Sequence, residues 1–288
     1  MINIFKDIPF VTTTEVAGMI GKPGIRVVDG SWHLPPTGRK GAAEFLDAHL
    51  PGAVFFDIDV ISDPASSLPH MLPEPAFFAE KAGALGLSES DTIVVYDQLG
   101  LFTAPRVAWM LRLYGARDVR IMEGGLPRWK AEGRPVEAGA ANPAPAHFTA
   151  RLDRSSVADL DRVAEALQNG SAQVVDARPA ARFRGDAPEP RPGVRAGHMP
   201  GSLNLPFDAI TANGALKDPA ALREAISAAG IDPAKPVICS CGSGVSTCII
   251  AMAMSRADVP VAAIYDGSWA EWGSRHDLPL GTGAPKGA

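Results

Sequence analysis

The chain contains few cysteines. Its 288 residues include three, Cys239, Cys241 and Cys248, and all of them fall within ten positions. Cysteines so close together cannot crosslink distant parts of a fold, so we exclude a disulfide framework and expect a reducing compartment. The Cys-x-Cys pair has neither a second pair nor a nearby histidine, which makes it a poor zinc site, and we expect no metal.

Long apolar runs and excess positive charge are also missing. No apolar stretch reaches the roughly 18 residues of a membrane-spanning helix, and residues 1–9 lack the basic and apolar regions of a signal peptide. The formal net charge is −5, which does not favour a general nucleic-acid binder or a polybasic membrane anchor. We therefore expect a cytoplasmic protein with no nucleic-acid and no membrane partner.

The sequence carries an internal repeat. Four short patterns of the first half recur in the same order in the second half, 143 to 149 positions later. Four ordered matches are hard to obtain by chance and indicate two domains of the same kind. The matching segments are 27–30 with 174–178, 49–53 with 198–202, 92–97 with 236–241, and 122–129 with 265–272.

Each half alternates apolar strand patterns with helical ones, which predicts an α/β fold of two parallel sheets flanked by helices. We expect helices at 77–84, 104–113 and 246–256. The stretch around 135–146 is rich in Ala, Pro and Gly without helical periodicity and is typical of a linker. The predicted division is a first domain at 1–137, a linker at 138–150 and a second domain at 151–288.

Cys241 is the candidate nucleophile. It ends an apolar strand pattern and is followed by Gly242, Ser243 and Gly244, and then by a helical pattern. Ligands of parallel sheets bind at the carboxyl ends of strands beside helix N-termini, where backbone N–H groups favour an anion. The repeat places Asp97 at the corresponding position of the first half. We therefore expect a site between the domains, with the reacting group supplied by the second.

The loop at 241–246 resembles the Cys-Gly-Ser-Gly-Val-Thr loop of 3-mercaptopyruvate sulfurtransferases, and the chain as a whole resembles the tandem-domain rhodanese-like sulfurtransferases. The motifs at 31–35, 70–73, 104–107 and 266–269 extend the resemblance over nearly the whole chain. Two positions depart from the family pattern. Ser246 replaces a threonine but keeps its hydroxyl, and Phe102 stands where relatives often carry a tyrosine.

The resemblance implies a double-displacement reaction. The Cys241 thiolate attacks the sulfur of 3-mercaptopyruvate, pyruvate leaves, and the resulting persulfide passes its outer sulfur to a thiol or cyanide. The resemblance also implies a proton relay of Ser243 with His70 and Asp59, although Asp57 lies close to the last of these in sequence. The loop residues expected around the substrate are Gly242, Gly244, Val245 and Ser246.

The substrate carboxylate needs a cation, and the arginine-dense segment 182–191 offers several. The family pattern assigns substrate binding to Arg182 and Arg191. We expect Arg184 and Arg195 to be solvated or paired with Glu189. No pattern implies a cofactor, and the reaction requires none.

Two other functions stay open. A thiosulfate sulfurtransferase of the same fold is disfavoured because the loop positions that carry cations in such enzymes are Gly242 and Ser243 here. A non-catalytic module that carries a persulfide for one partner protein is the second. Small thiols, cyanide and thioredoxin are all compatible acceptors, and a monomer is the default expectation.

Overall fold

The computed structural model of the protein describes residues 4–284. Residues 1–3 and 285–288, which belong to the predicted first and second domains, lie outside the described residues. The described part forms two five-stranded parallel sheets, each covered by helices, as the alternating sequence pattern predicts. None of the helices within 4–284 is long and apolar enough to cross a bilayer.

The first sheet has the strand order β1-β5-β4-β2-β3. Its strands are β1 Phe10–Val11, β2 Ile25–Asp29, β3 Val54–Phe55, β4 Thr92–Tyr96 and β5 Asp118–Met122. Its helices are α1 Thr13–Met19, α2 Gly41–Asp47, α3 Pro75–Ala84, α4 Ala104–Leu113 and α5 Gly125–Ala131.

The second sheet repeats this topology with the order β6-β12-β11-β7-β8. The strands of the second half are β6 Val157–Ala158, β7 Gln173–Asp176, β8 Leu203–Asn204, β9 Thr211–Ala212, β10 Ala215–Leu216, β11 Val237–Ser240 and β12 Val261–Tyr265, of which β9 and β10 form a separate hairpin. Its helices are α6 Leu160–Asn169, α7 Ala180–Arg184, α8 Phe207–Ile210, α9 Pro219–Ala228, α10 Thr247–Arg256 and α11 Ser268–Trp272.

The central strands β4 and β11 explain the position of the site. Both are mainly apolar, and apart from the partly buried Thr92 all their residues are buried, as expected for strands that have helices above and below. Asp97 follows β4 and Cys241 follows β11, each at the carboxyl end of the middle strand of its sheet. Residues 138–150 between the two halves contain no helix and no strand.

The helices that follow these two loops pack against each other across the domain boundary. Helices α4 and α10 are both almost entirely buried, and their side chains belong to one apolar core that includes residues of both halves. The predicted helix at 104–113 is confirmed at both ends. The helix predicted at 246–256 begins at Thr247, one residue later than predicted. The two loops therefore face each other over a shared core.

A His-x-Pro-Gly motif occurs at 49–52 and again at 198–201, and its histidine packs in the same way in both halves. His49 stacks on Phe45 and its Nδ1 atom lies 2.7 Å from the Phe45 carbonyl oxygen. His198 stacks on Phe183 with the corresponding distance at 2.9 Å. These buried histidines are thus packing residues, which the internal repeat pairs correctly in sequence.

Candidate functional site

Cys241 lies directly after β11 and is buried. Its N–H donates to Ser268 Oγ at 3.2 Å, and its carbonyl oxygen accepts the Trp269 N–H at 2.9 Å. Both contacts reach the first turn of α11, which follows the neighbouring strand β12. The position of the thiol is therefore fixed by the backbone on which it sits.

The loop after Cys241 curls tightly around the thiol. Gly244 has a φ of +76°, and a Cβ atom there would lie 3.0 Å from both Arg106 Nη1 and the Asp266 carbonyl oxygen, so this turn requires glycine. Among residues 4–284, the N–H groups of residues 243–247 have no hydrogen-bond acceptor. Unpaired N–H groups at a helix N-terminus are well suited to stabilise an anion.

The first domain shows what such a loop can hold. Asp97, the counterpart of Cys241, accepts the Leu99 N–H on Oδ1 at 2.9 Å. Its Oδ2 accepts the N–H groups of Phe102, Thr103 and Ala104 at 2.7 to 2.9 Å. A carboxylate oxygen lies as many bonds from Cα as the outer sulfur of a cysteine persulfide. The first-domain loop is thus an internal example of this loop type binding an anion at that distance.

A cavity of about 120 Å³ opens above Cys241. This space is large enough for a small organic acid. Both domains contribute to its walls. The lining consists of Trp32, Leu34, Phe102, Arg178, Pro179, Arg182, Arg191, Phe207, Cys241, Gly242, Ser243, Val245 and Ser246.

The arginines of this cavity differ in their partners. Arg182 is paired with Glu189 through a short contact from Nη2, and a Cβ on Gly242 would lie 3.1 Å from that same nitrogen. Arg191 is half-buried and has no hydrogen bond or ion pair to another residue within 4–284. Burial lowers the pKa of Arg191, partly offset by its closeness to Cys241 and Asp59. Arg191 is therefore the cation that is free to bind an anion.

Arg178, which the sequence analysis did not single out, also lines the cavity, and two carboxylates balance its charge. It is buried, donates to Asp176 through Nε and Nη2 and to Glu189 through Nη1, and lies 4.4 Å from the centre of the Trp269 ring. Arg178 and Arg182 together with Asp176 and Glu189 make a cluster of two cations and two anions. Its only sequence signal is the acidic end of β7 followed two residues later by an arginine.

The partner of Glu189 differs from the predicted ones. Arg184 pairs with Asp186 at 2.7 Å and its side chain is 42% exposed, which agrees with the alternative that it is solvated. Arg195 donates to backbone carbonyls, among them that of Gly273. Pairing of Glu189 with either residue was wrong, because the Glu189 side chain is only 3% exposed and contacts Arg178 and Arg182, which line the cavity.

His70 and Asp59 lie together, as the resemblance implied. His70 Nε2 lies 2.8 Å from Asp59 Oδ1, and the Trp32 indole N–H donates to Asp59 Oδ2 at 2.9 Å. These contacts, led by the one from His70, lower the pKa of Asp59. The neighbouring Asp57 instead accepts the backbone N–H of Asp59, and burial raises its pKa. Of the two carboxylates, Asp59 is therefore the one that contacts the histidine.

The contact between His70 and the loop is made by backbone. His70 Nδ1 lies 3.2 Å from the carbonyl oxygen of Ser243, and the Ser243 hydroxyl has no hydrogen bond to another residue within 4–284. Both partner oxygens only accept hydrogen bonds, so a ring nitrogen of His70 makes either contact as the donor. The relay through the Ser243 hydroxyl stays a prediction.

The two other cysteines are core residues. Cys239 lies on β11 and Cys248 on α10, and both are fully buried. Burial raises the pKa of both thiols. Neither thiol is suited to act as a nucleophile at neutral pH.

Comparison with known proteins places the chain. The model of the rhodanese-like domain matches residues 12–132 and 159–275. The chain belongs to the rhodanese-like family. Its structure superimposes on that of SseA from Escherichia coli with a TM-score of 0.85 at 39% identity, over 91% of this chain and 99% of SseA. The predicted fold of two rhodanese-like domains is confirmed.

Relatives of two activities resemble this rhodanese-like chain about equally. The 3-mercaptopyruvate sulfurtransferase of Escherichia coli K12 is 42% identical over 272 residues, 94% of this chain and 97% of the relative. The thiosulfate sulfurtransferase of Bos taurus is 45% identical over 260 residues, 89% of this chain and 87% of the relative. Overall sequence identity therefore does not distinguish 3-mercaptopyruvate from thiosulfate as the donor. The residues of the site have to be considered for that distinction.

Proposed function

We propose that the protein is a 3-mercaptopyruvate sulfurtransferase, with Cys241 as the sulfur-carrying residue. The observation that carries this proposal is the charge of the cavity. Arg178 and Arg182 are balanced by Asp176 and Glu189, which leaves the single cation of Arg191 uncompensated beside Cys241. One free cation matches the single carboxylate of 3-mercaptopyruvate better than the two charges of thiosulfate.

Binding orients the donor. Arg191, assisted by the Arg182 nitrogen near Gly242, receives the substrate carboxylate in a two-pronged contact. The cavity is small, so the mercapto group of a donor held in this way lies against Cys241. Holding the reacting atoms in contact replaces a bimolecular encounter by a reaction within the complex.

Sulfur transfer then follows in two steps. The Cys241 thiolate attacks the donor sulfur, the carbon–sulfur bond breaks, and its electron pair leaves with the carbon as the enolate of pyruvate. The enolate takes up a proton, and we propose His70, beside Ser243, as the group that supplies it. The persulfide remains in the loop, where the N–H groups of residues 243–247 stabilise it as their counterparts stabilise Asp97.

An acceptor completes the cycle. Its thiolate, or cyanide, attacks the outer sulfur, the sulfur–sulfur bond breaks, and Cys241 leaves as a thiolate. We propose small thiols and thioredoxin as acceptors, a monomer in the cytoplasm as the working form, and a division into domains 1–137 and 151–288 around the linker 138–150.

Steady-state turnover with 3-mercaptopyruvate and with thiosulfate, each against the same thiol acceptor, tests the proposal. We expect a kcat/KM at least about a hundredfold higher for 3-mercaptopyruvate, the effect of about 2.7 kcal/mol in transition-state binding, and no activity in Cys241→Ser. A preference for thiosulfate would keep the fold and the nucleophile but overturn the charge argument. Loading without turnover would favour a persulfide-carrier module.

A further inference from the structure

We propose that Arg106 is a positioning residue of the transfer site, because it holds the His70 segment of the first domain and the Cys241 loop of the second domain in one arrangement. This inference rests on the proposed function of the site. Arg106 itself does not line the cavity above Cys241. It lies on α4 and its side chain is completely buried between the two domains.

One guanidinium group contacts three segments. Arg106 Nη2 donates to the His70 carbonyl oxygen at 2.6 Å and lies 2.7 Å from Asp266 Oδ1. Its Nη1 donates to the Gly244 carbonyl oxygen at 3.2 Å. The contacts thus reach His70, which faces Asp59, Gly244 in the turn of the Cys241 loop, and Asp266, which follows β12. A planar fork of donors is suited to such a junction, and a lysine ammonium is not.

The His70 backbone needs this support. Its φ is +61°, a left-handed conformation that costs a non-glycine residue about 1–2 kcal/mol. Arg106 fixes the carbonyl oxygen of His70, and Asp266 Oδ2 accepts the Leu72 N–H at 2.8 Å. The Arg106–Asp266 pair therefore holds the chain at two points just after the His70 side chain. The left-handed turn is what directs the imidazole toward Asp59 and the loop.

The same pair restricts the movement of the Cys241 loop. Gly244 packs so closely that an added Cβ would lie 3.0 Å from Arg106 Nη1. The loop carbonyl and the His70 carbonyl are thus bonded to one rigid group, so a movement of either is passed to the other. Without the guanidinium, we expect residue 70 to relax toward negative φ and the imidazole to leave Asp59 and Ser243.

A double-mutant cycle tests this coupling. We would measure kcat and KM of Arg106→Lys, His70→Asn and the double variant with the donor that loads the wild type. Arg106→Lys should lower kcat at least about tenfold, since small misplacements of reacting groups have large effects on rate. KM should change less than about threefold because Arg191 is untouched. The His70 substitution should then cost little more when it is added to Arg106→Lys.

Arg112→Lys is the matched control. Arg112 is on the same helix and also donates to backbone carbonyls, those of Ala116 and Arg117, but away from the site. Its substitution should leave kcat unchanged and combine independently with His70→Asn. Independent effects of Arg106→Lys and His70→Asn on kcat, or an equal loss in Arg112→Lys, would overturn the proposal.

Two further readouts keep the test decisive. If Arg106→Lys does not fold, the neutral pair Arg106→Gln with Asp266→Asn replaces it in the same cycle, because it leaves no unpaired buried charge. If the wild type is not loaded by any donor, the proposed function fails, and a crystal structure of the variant then decides the role of Arg106. A variant structure in which His70 keeps its left-handed backbone and its contact with Asp59 would contradict the positioning role of Arg106.

Discussion

Arg191→Met should lower activity without lowering stability. Arg191 is half-buried, makes no hydrogen bond or ion pair to another residue within 4–284, and burial lowers its pKa, so its charged form is less favourable in the folded chain than in the unfolded one. Removing this cation breaks no ion pair and leaves no carboxylate unpaired. Methionine keeps much of the apolar stem, so we expect an unfolding free energy equal to or higher than that of the wild type.

The effect on the reaction can be estimated from the lost contact. A hydrogen bond to a charged group contributes about 1.5–3 kcal/mol when its partner has no substitute. That energy corresponds to a decrease of roughly 10- to 150-fold in kcat/KM for 3-mercaptopyruvate. Arg182 remains, but Glu189 occupies much of its guanidinium, so it compensates only in part.

The assay combines initial rates over a range of donor concentrations with urea unfolding of the same preparations. Arg184→Met is the control, because Arg184 belongs to the same arginine-dense segment but does not line the cavity and pairs with Asp186. It should change neither quantity appreciably. A kcat/KM of Arg191→Met within about threefold of the wild type, or an unfolding free energy lower by more than about 1 kcal/mol, would refute the reasoning.

Two further predictions concern stability. Asp97→Ala should lower the unfolding free energy by about 3 kcal/mol or more, because buried N–H groups lose their acceptor at a cost of about 1–3 kcal/mol each. A loss below about 1 kcal/mol in urea unfolding would contradict the role of Asp97 as the anion of the first-domain loop. Burial raises the pKa of Asp29 to about 6, so the folded chain holds a proton that the unfolded chain releases near pH 4, and stability falls as pH rises toward 6. Asp29→Asn should remove about 1–2 kcal/mol of that fall between about pH 5 and 7, and an unchanged pH dependence would count against it.

Much of the fold was predictable because its signals are local. Strands such as Thr92–Tyr96 consist of apolar and β-branched residues, and the repeat supplies each pattern twice. The position of Cys241 follows from the same logic, since a parallel sheet brings its loops to one edge. Helix boundaries were correct to within one residue at 104–113 and 247–256.

The contacts between distant residues were not predictable without the structure. The Trp32 indole on Asp59 and the Arg106 guanidinium on Gly244 join residues far apart in sequence, and nothing local specifies them. The choice between Asp57 and Asp59 depends on which side chain turns toward His70. The partner of Glu189 depends on burial, which placed it beside Arg178.

The central claim is that Cys241 carries the transferred sulfur. Its most direct test is to mix the protein with one equivalent of 3-mercaptopyruvate without an acceptor, to measure the released pyruvate, and to locate the added mass in peptides. We predict the mass of one sulfur atom on the peptide that contains Cys241, with an equal amount of pyruvate, and neither product in Cys241→Ser. Sulfur on Cys239 or Cys248, or pyruvate released without any sulfur bound to the protein, would contradict the account.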